Sequence, residues 1–219
     1  MSDNLPSILA DATLQTLSMV SAAAVVSVLI GLPLGAFLAT SAKDGLFPAP
    51  KANRLLGAIV DLARSTPFII LAIAMIPLTR HITGTPVGTS AAIVPLTIAG
   101  TPFVAKSVED AIRAVDQGLV DASRAMGATP LQIVLKILLP EARQAILLGF
   151  TASIVTLFGN AAIVGAVGGG GLGELGIRFG YQSFTPEIMA AVVIVIIVTV
   201  QLIQIAGNRL ARRAAKRRV

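Results

Sequence analysis

The sequence has no cysteine, no tryptophan, one tyrosine and one histidine, and only 13% of its 219 residues are charged. Without cysteine, disulfides and thiolate metal sites are excluded. A lone histidine, His81, offers no set of imidazole ligands and reads as an ordinary polar residue of a loop. Glycines run from 168 to 171, but no Gly-Lys-Ser or Gly-Lys-Thr follows them, so a phosphate-binding loop is not expected. No nucleophile stands with a base and no His, Asp or Glu cluster marks a membrane-embedded enzyme, so catalysis and metal binding are not expected either. The net charge is +6; basic residues here flank apolar runs without an aromatic stripe between them, which argues against nucleic acid as a partner.

What the chain has is grease. Hydrophobic residues make up 55% of it, gathered largely in five charge-free windows at 12–42, 65–79, 82–105, 144–173 and 188–208. Four of these reach the roughly 20 residues that cross a bilayer. The window 65–79 becomes a span when extended back through Ile59, Asp61 and Arg64, where Asp61 and Arg64, three apart, can pair and turn toward the headgroups. The expected fold is all-α and polytopic: one transmembrane domain over 1–219 with about five spans near 14–40, 56–79, 87–106, 145–167 and 187–208. Gly31, Pro33 and Gly35 lead us to expect that the first span tilts, kinks or ends early. Gly31 and Gly35 either admit a neighbouring helix or reflect ordinary glycine usage in membranes. Pro95, Gly100 and Pro102 should interrupt the ladder of the third span, for packing or to line a water-filled path. Residues 79–88 read as a short outer loop.

Orientation follows from Lys and Arg, which favour the cytoplasmic side. With the N-terminus outside, 14 of the 17 basic residues fall inside, Arg64 lies at the cytoplasmic boundary of the second span, and only Arg80 and Arg178 fall outside. The first eleven residues carry Asp3 and Asp11 and no basic residue, unlike the start of a cleaved signal peptide. The tail RLARRAAKRRV pins the last span; such tails are usually topology anchors and less often anionic-lipid sites. There is neither a phosphate loop nor a pair of intramembrane carboxylates for ion coupling, so energy comes from a partner or transport is passive. A self-sufficient carrier or channel is the competing reading; a carrier would place ionisable residues at mid-membrane or show paired interrupted halves.

The segment 107–143 between the third and fourth spans says most. Residues 116–126 read as a short helix with Leu119, Ala122 or Ser123, and Met126 on one face and Asp121 and Arg124 elsewhere. Gly127 can end it in the left-handed conformation. Thr129 and Pro130 then make an N-cap and first-turn pair for a second helix running to Pro140. A helix so short is poorly stable alone and is expected to dock against something.

At this segment the chain resembles the bacterial ABC importer permeases. Their cytoplasmic loop reads Glu-Ala-Ala, three residues, Gly, nine residues, Ile, any residue, Leu-Pro. Here Asp121-Ala122-Ser123, Gly127 and Ile137-Leu138-Leu139-Pro140 keep every spacing, with Asp for Glu at 121 and Ser for Ala at 123. The likeness extends through RSTPFIILAIAMIPLTR, ASRAMGATPLQIVLKILLPEA, GAVGGGGLGELGIRFGY and LIQIAGNRL, and is nearest to the methionine-uptake permeases. It implies a multi-pass bacterial inner-membrane subunit that pairs with a second copy of itself and with two nucleotide-binding ATPase subunits. An extracytoplasmic substrate-binding protein would deliver methionine or another small polar substrate. ATP and Mg would sit on the ATPase, with no cofactor on this chain. The resemblance also assigns ATPase coupling to Leu119, Asp121, Ala122, Ser123, Met126, Gly127, Ile137, Leu139 and Pro140, and an outer gate to Ile163.

Overall fold

From Leu5 onward the sequence offers 36 residues interrupted by one charge, Asp11, and they form a single helix, α1 (Leu5–Thr40). The computed structural model describes residues 5–216; Asp3, Arg217, Arg218 and Val219 lie outside the described residues. Among those described, every regular element is helical, as the charge-free windows predict. Four helices are long and apolar enough to cross a membrane: α1, α5 (Thr89–Arg113), the stretch Pro130–Gly169 and α10 (Pro186–Lys216). A fifth span exists if the bent pair α2 (Pro50–Ser65) and α3 (Phe68–Ala74) is counted as one.

The chain divides into two compact units. The first comprises the residues through Ser27, Thr66–Gly100 and Ser153–Gln204. Its core is built from Met19, Val20, Ala23, Leu96, Leu157 and Phe158, with a smaller cluster of Ala12, Leu172, Leu175 and Val192. The second comprises Val28–Ser65, Thr101–Ala152 and the residues from Ile205 on. It packs Val104, Val108, Ile112, Val120, Ile133 and Leu138 together, and Leu38 with Val60 and Ala105.

Several boundaries differ from the sequence reading. α1 starts nine residues before the expected 14 and does not end early; it runs through Pro33 to Thr40. The cause lies in the second unit. Gly31 and Gly35 are pressed against α5, where a Cβ at Gly31 would meet Val104 at 2.7 Å and one at Gly35 would overlap the carbonyl of Ala105. Such close packing holds the helix across the one hydrogen bond that Pro33 cannot make. α5 likewise stays helical through Pro95 and Pro102, and the Ser27 hydroxyl donates to the Thr97 carbonyl at 3.3 Å.

The span expected at 56–79 is not one helix. It breaks at Thr66-Pro67, because a residue before proline is pushed out of the helical region, and again at Met75, before α4 (Ile76–Thr83). Arg64 does not pair with Asp61; its guanidinium lies over the Phe103 ring at 5.3 Å. Arg80 and His81, expected in a loop, sit in the last turn of α4, which closes on Gly84 in the left-handed conformation. The span expected at 87–106 continues to Arg113, so the first residues of 107–143 are still α5.

Candidate functional site

The segment that follows α5 folds into three pieces: α6 (Gln117–Ala125), α7 (Pro130–Ile133) and a π-helical turn, Val134–Leu138, that leads into α8 (Leu139–Val164). Nine residues of α6 are too few to hold a helix in water by themselves. Both of its ends are fastened. At the start the Asp116 carboxylate accepts from the Gly118 amide at 2.6 Å, a cap the sequence reading placed inside the helix without a role. At the end the Gly127 amide donates to the Arg124 carbonyl at 2.9 Å and the Ala128 amide to the Ser123 carbonyl at 3.0 Å. This is a Schellman closure, and it needs the φ of +82° that Gly127 adopts.

One residue later a capping box begins α7. The Thr129 hydroxyl accepts from the Gln132 amide at 3.4 Å, and the Gln132 side chain accepts from the Thr129 amide at 2.9 Å. Pro130 occupies the first turn, where its missing N–H costs nothing. The second helix does not stop at Pro140. Just before it, the Leu139 amide reaches back five residues to the Val134 carbonyl, and this wider turn makes room for the proline ring inside a continuous helical rod.

The fastened helix presents two sides. Val120 and Ser123 are buried in the second unit's core, with the Ser123 hydroxyl donating to the Leu119 carbonyl at 2.6 Å. Leu119 is 44% exposed and Met126 80% exposed, and Asp121, Ala122, Arg124 and Gly127 are open beside them. Of the two residues the sequence left open for the apolar face, Ala122 lies on it and Ser123 on the opposite one. Ile137 and Leu139 are half-buried and Pro140 is exposed, while Leu138 packs inside. A cavity of about 150 Å³ behind α6 is lined by Asp44, Leu46, Arg113, Gln117, Val120 and Arg124.

On α5, Glu109 is buried but accepts from Lys106 at 3.1 Å and from Arg113 at 2.7 Å. The carboxylate is thus compensated by two cations of its own helix, and Lys106 also reaches Asp110 at 3.5 Å.

In the first unit Ile163 stands one residue before the end of α8 and is 36% exposed, with Val167 at 47% beyond it. Its chain neighbours Ala161 and Val164 are core residues, so Ile163 points away from them. The glycine run follows and turns the chain into α9 (Gly171–Leu175). The first two amides of α9 are already taken. Gly171 donates to the Gln15 side-chain oxygen and Leu172 to the Thr16 hydroxyl, each at 2.9 Å. These donors are filled from α1, which leaves them no role in holding a phosphate. Among the described residues no group of three His, Cys, Asp or Glu is placed to hold a metal.

Residues 31–218 match the family described as binding-protein-dependent transport system inner membrane component. Over 210 residues the chain is 50% identical to the probable D-methionine transport system permease protein MetI of Vibrio cholerae, covering 96% of this chain and 93% of that one. It is 37% identical to the methionine import system permease protein MetP of Bacillus subtilis, over 81% of this chain and 80% of the relative. A solved structure of the MetNI methionine ABC transporter in inward-facing conformations superposes with a TM-score of 0.95 at 43% identity, covering 98% of this chain and 99% of the other. With the family matched along most of its length and a relative half identical almost end to end, this chain belongs to the binding-protein-dependent transport system inner membrane components.

Proposed function

We propose that this chain is the transmembrane domain, over residues 1–219, of an ATP-driven importer for methionine or a related small amino acid. Two copies enclose the path. Two nucleotide-binding ATPase subunits bind and hydrolyse ATP with Mg at the cytoplasmic face, and a substrate-binding protein delivers from outside. The N-terminus lies outside and the C-terminus in the cytoplasm, which puts α6 on the ATPase side. Similarity to methionine permeases supports the substrate class.

One observation carries the mechanism: α6 is capped at both ends, yet leaves Leu119, Ala122 and Met126 bare on the side opposite its own core. A rigid short helix with an apolar outer face transmits a push if a partner grips that face. Closure of the ATPase pair would move α6, and through the buried Val120, Ser123 and Ile133 contacts the helices behind it. Ile137, Leu139 and Pro140 make the adjoining shoulder. Ile163 closes the outer end of the path.

Gly127→Asp tests this. It penalises the left-handed turn by about 1 kcal/mol and sets a charge beside the apolar face. The variant should reach the membrane at near-normal level while losing ATPase association or substrate-stimulated hydrolysis. Wild-type transport with the ATPase still bound would refute the assignment.

A further inference from the structure

The last charge-free stretch of α10 ends at Asn208, and Arg209, Arg212 and Arg213 follow on the same unbroken helix. Spacings of three and four residues set the three on one side. The other side is fixed by packing. Ala211 is 1% exposed, and Gly207, one turn earlier, sits so near α8 that a Cβ there would overlap the side chain of Thr151. The arginines therefore point outward from the second unit, and all three are exposed. None makes an ion pair or hydrogen bond among the described residues. The sequence after Glu187 contains no Asp or Glu to neutralise them.

The same side of α10, followed back toward its start, reads Ile205, Leu202 and Val198, which are 44%, 62% and 51% exposed. Gln201 and Ala206 are exposed on the flanks of this row, which is otherwise made of large aliphatic side chains and is in the main a surface for hydrocarbon rather than for a wet path. At 1.5 Å per residue, Arg209 stands about 6 Å and Arg213 about 12 Å beyond Ile205 along the helix. The headgroup layer occupies roughly the 5–8 Å outside the hydrocarbon. Taking Ile205 as the edge of the hydrocarbon, Arg209 thus emerges at headgroup depth, and Arg212 and Arg213, about 10 and 12 Å out, reach that layer by turning their long side chains back along the helix toward the membrane. A guanidinium fork matches phosphate oxygens in a bidentate way.

We propose that Arg209, Arg212 and Arg213 form a binding face for the phosphate of anionic phospholipids. On the orientation proposed above this is the cytoplasmic leaflet; the site itself rests on the packing of α10. Continuity with the aliphatic stripe favours lipid over an acidic surface of the ATPase.

The test uses the complete transporter, permease with its ATPase, in nanodiscs of phosphatidylcholine carrying spin-labelled phosphatidylglycerol or spin-labelled phosphatidylcholine as probe. Wild type should immobilise the phosphatidylglycerol probe preferentially. The preference should fall about fivefold for each Arg→Gln change, the factor equivalent to about 1 kcal/mol per charge, and should weaken with salt. A triple Arg→Lys variant, which keeps the charges, should retain most of it at an unchanged melting temperature. An undiminished preference in R209Q/R212Q/R213Q overturns the proposal. So does a loss of ATPase co-purification that is equal with and without phosphatidylglycerol, which would assign the face to a protein. Preference lost in both triple variants together with a lowered melting temperature would make the arginines structural and overturn it as well. Methionine uptake by wild type is assayed in parallel, so that failure of the transport reading is seen separately from failure of the lipid site.

Discussion

At the scale of single residues, burial separates positions that the sequence left equivalent. Ser123 and Met126 both fall in the loop that resembles a coupling motif, yet one is 4% and the other 80% exposed. Opposite consequences are expected from changing them. Ser123→Leu forces a larger side chain into packed space and removes the bond to the Leu119 carbonyl, so it should destabilise the permease by about 1–3 kcal/mol. Met126→Glu adds a charge where the side chain is largely open to solvent, and should leave stability within about 0.5 kcal/mol while weakening the ATPase complex. Thermal unfolding of the extracted permease, set beside ATPase co-purification, distinguishes the two. Equal losses of stability would mean that Met126 packs within the chain. Gly127 and Thr129 were legible in the sequence because each obeys a local rule of helix ends. Asp116 obeys one too and could have been read. The burial of Ser123 depends on which side meets Ile133 and Leu138, and no local spacing encodes that.

At the scale of elements, the charge-free windows located the long helices, and tertiary packing moved their ends. Pro33 does not end α1, and α5 continues through Pro95 and Pro102, since neighbouring helices hold the backbone where each proline leaves a hydrogen bond missing. Pro67 does break a helix, because the residue before a proline is pushed out of the helical region. Gly207 and Ala211, four apart in α10, make a close approach that hydropathy alone concealed. The same dependence on distant partners predicts an effect at α9, whose first amides are held by Gln15 and Thr16. Thr16→Val removes the acceptor for the buried Leu172 amide while keeping the side-chain volume. It should cost about 1–3 kcal/mol, read as a lowered unfolding temperature, and Thr16→Ser should restore most of it. No change in Thr16→Val would show that the amide has another partner.

At the scale of the whole molecule, two expectations concern topology and copy number. A reporter fused after Val219 should be active only in the cytoplasm, because 14 of 17 basic residues otherwise face outward. Periplasmic activity would mean that the spans number differently. The native mass of the extracted complex should contain two permease chains, since five spans with one broken at Pro67 offer few walls for a polar path. A transport-competent particle with one copy would reject that. The bond from Thr16 to Leu172 spans 156 positions of sequence. A ribosome delivers Thr16 early and Leu172 late, so the glycine turn closes only onto acceptors already standing in the membrane. A chain begun downstream of α1 would emerge with those amides bare, and limited proteolysis would find its cut there.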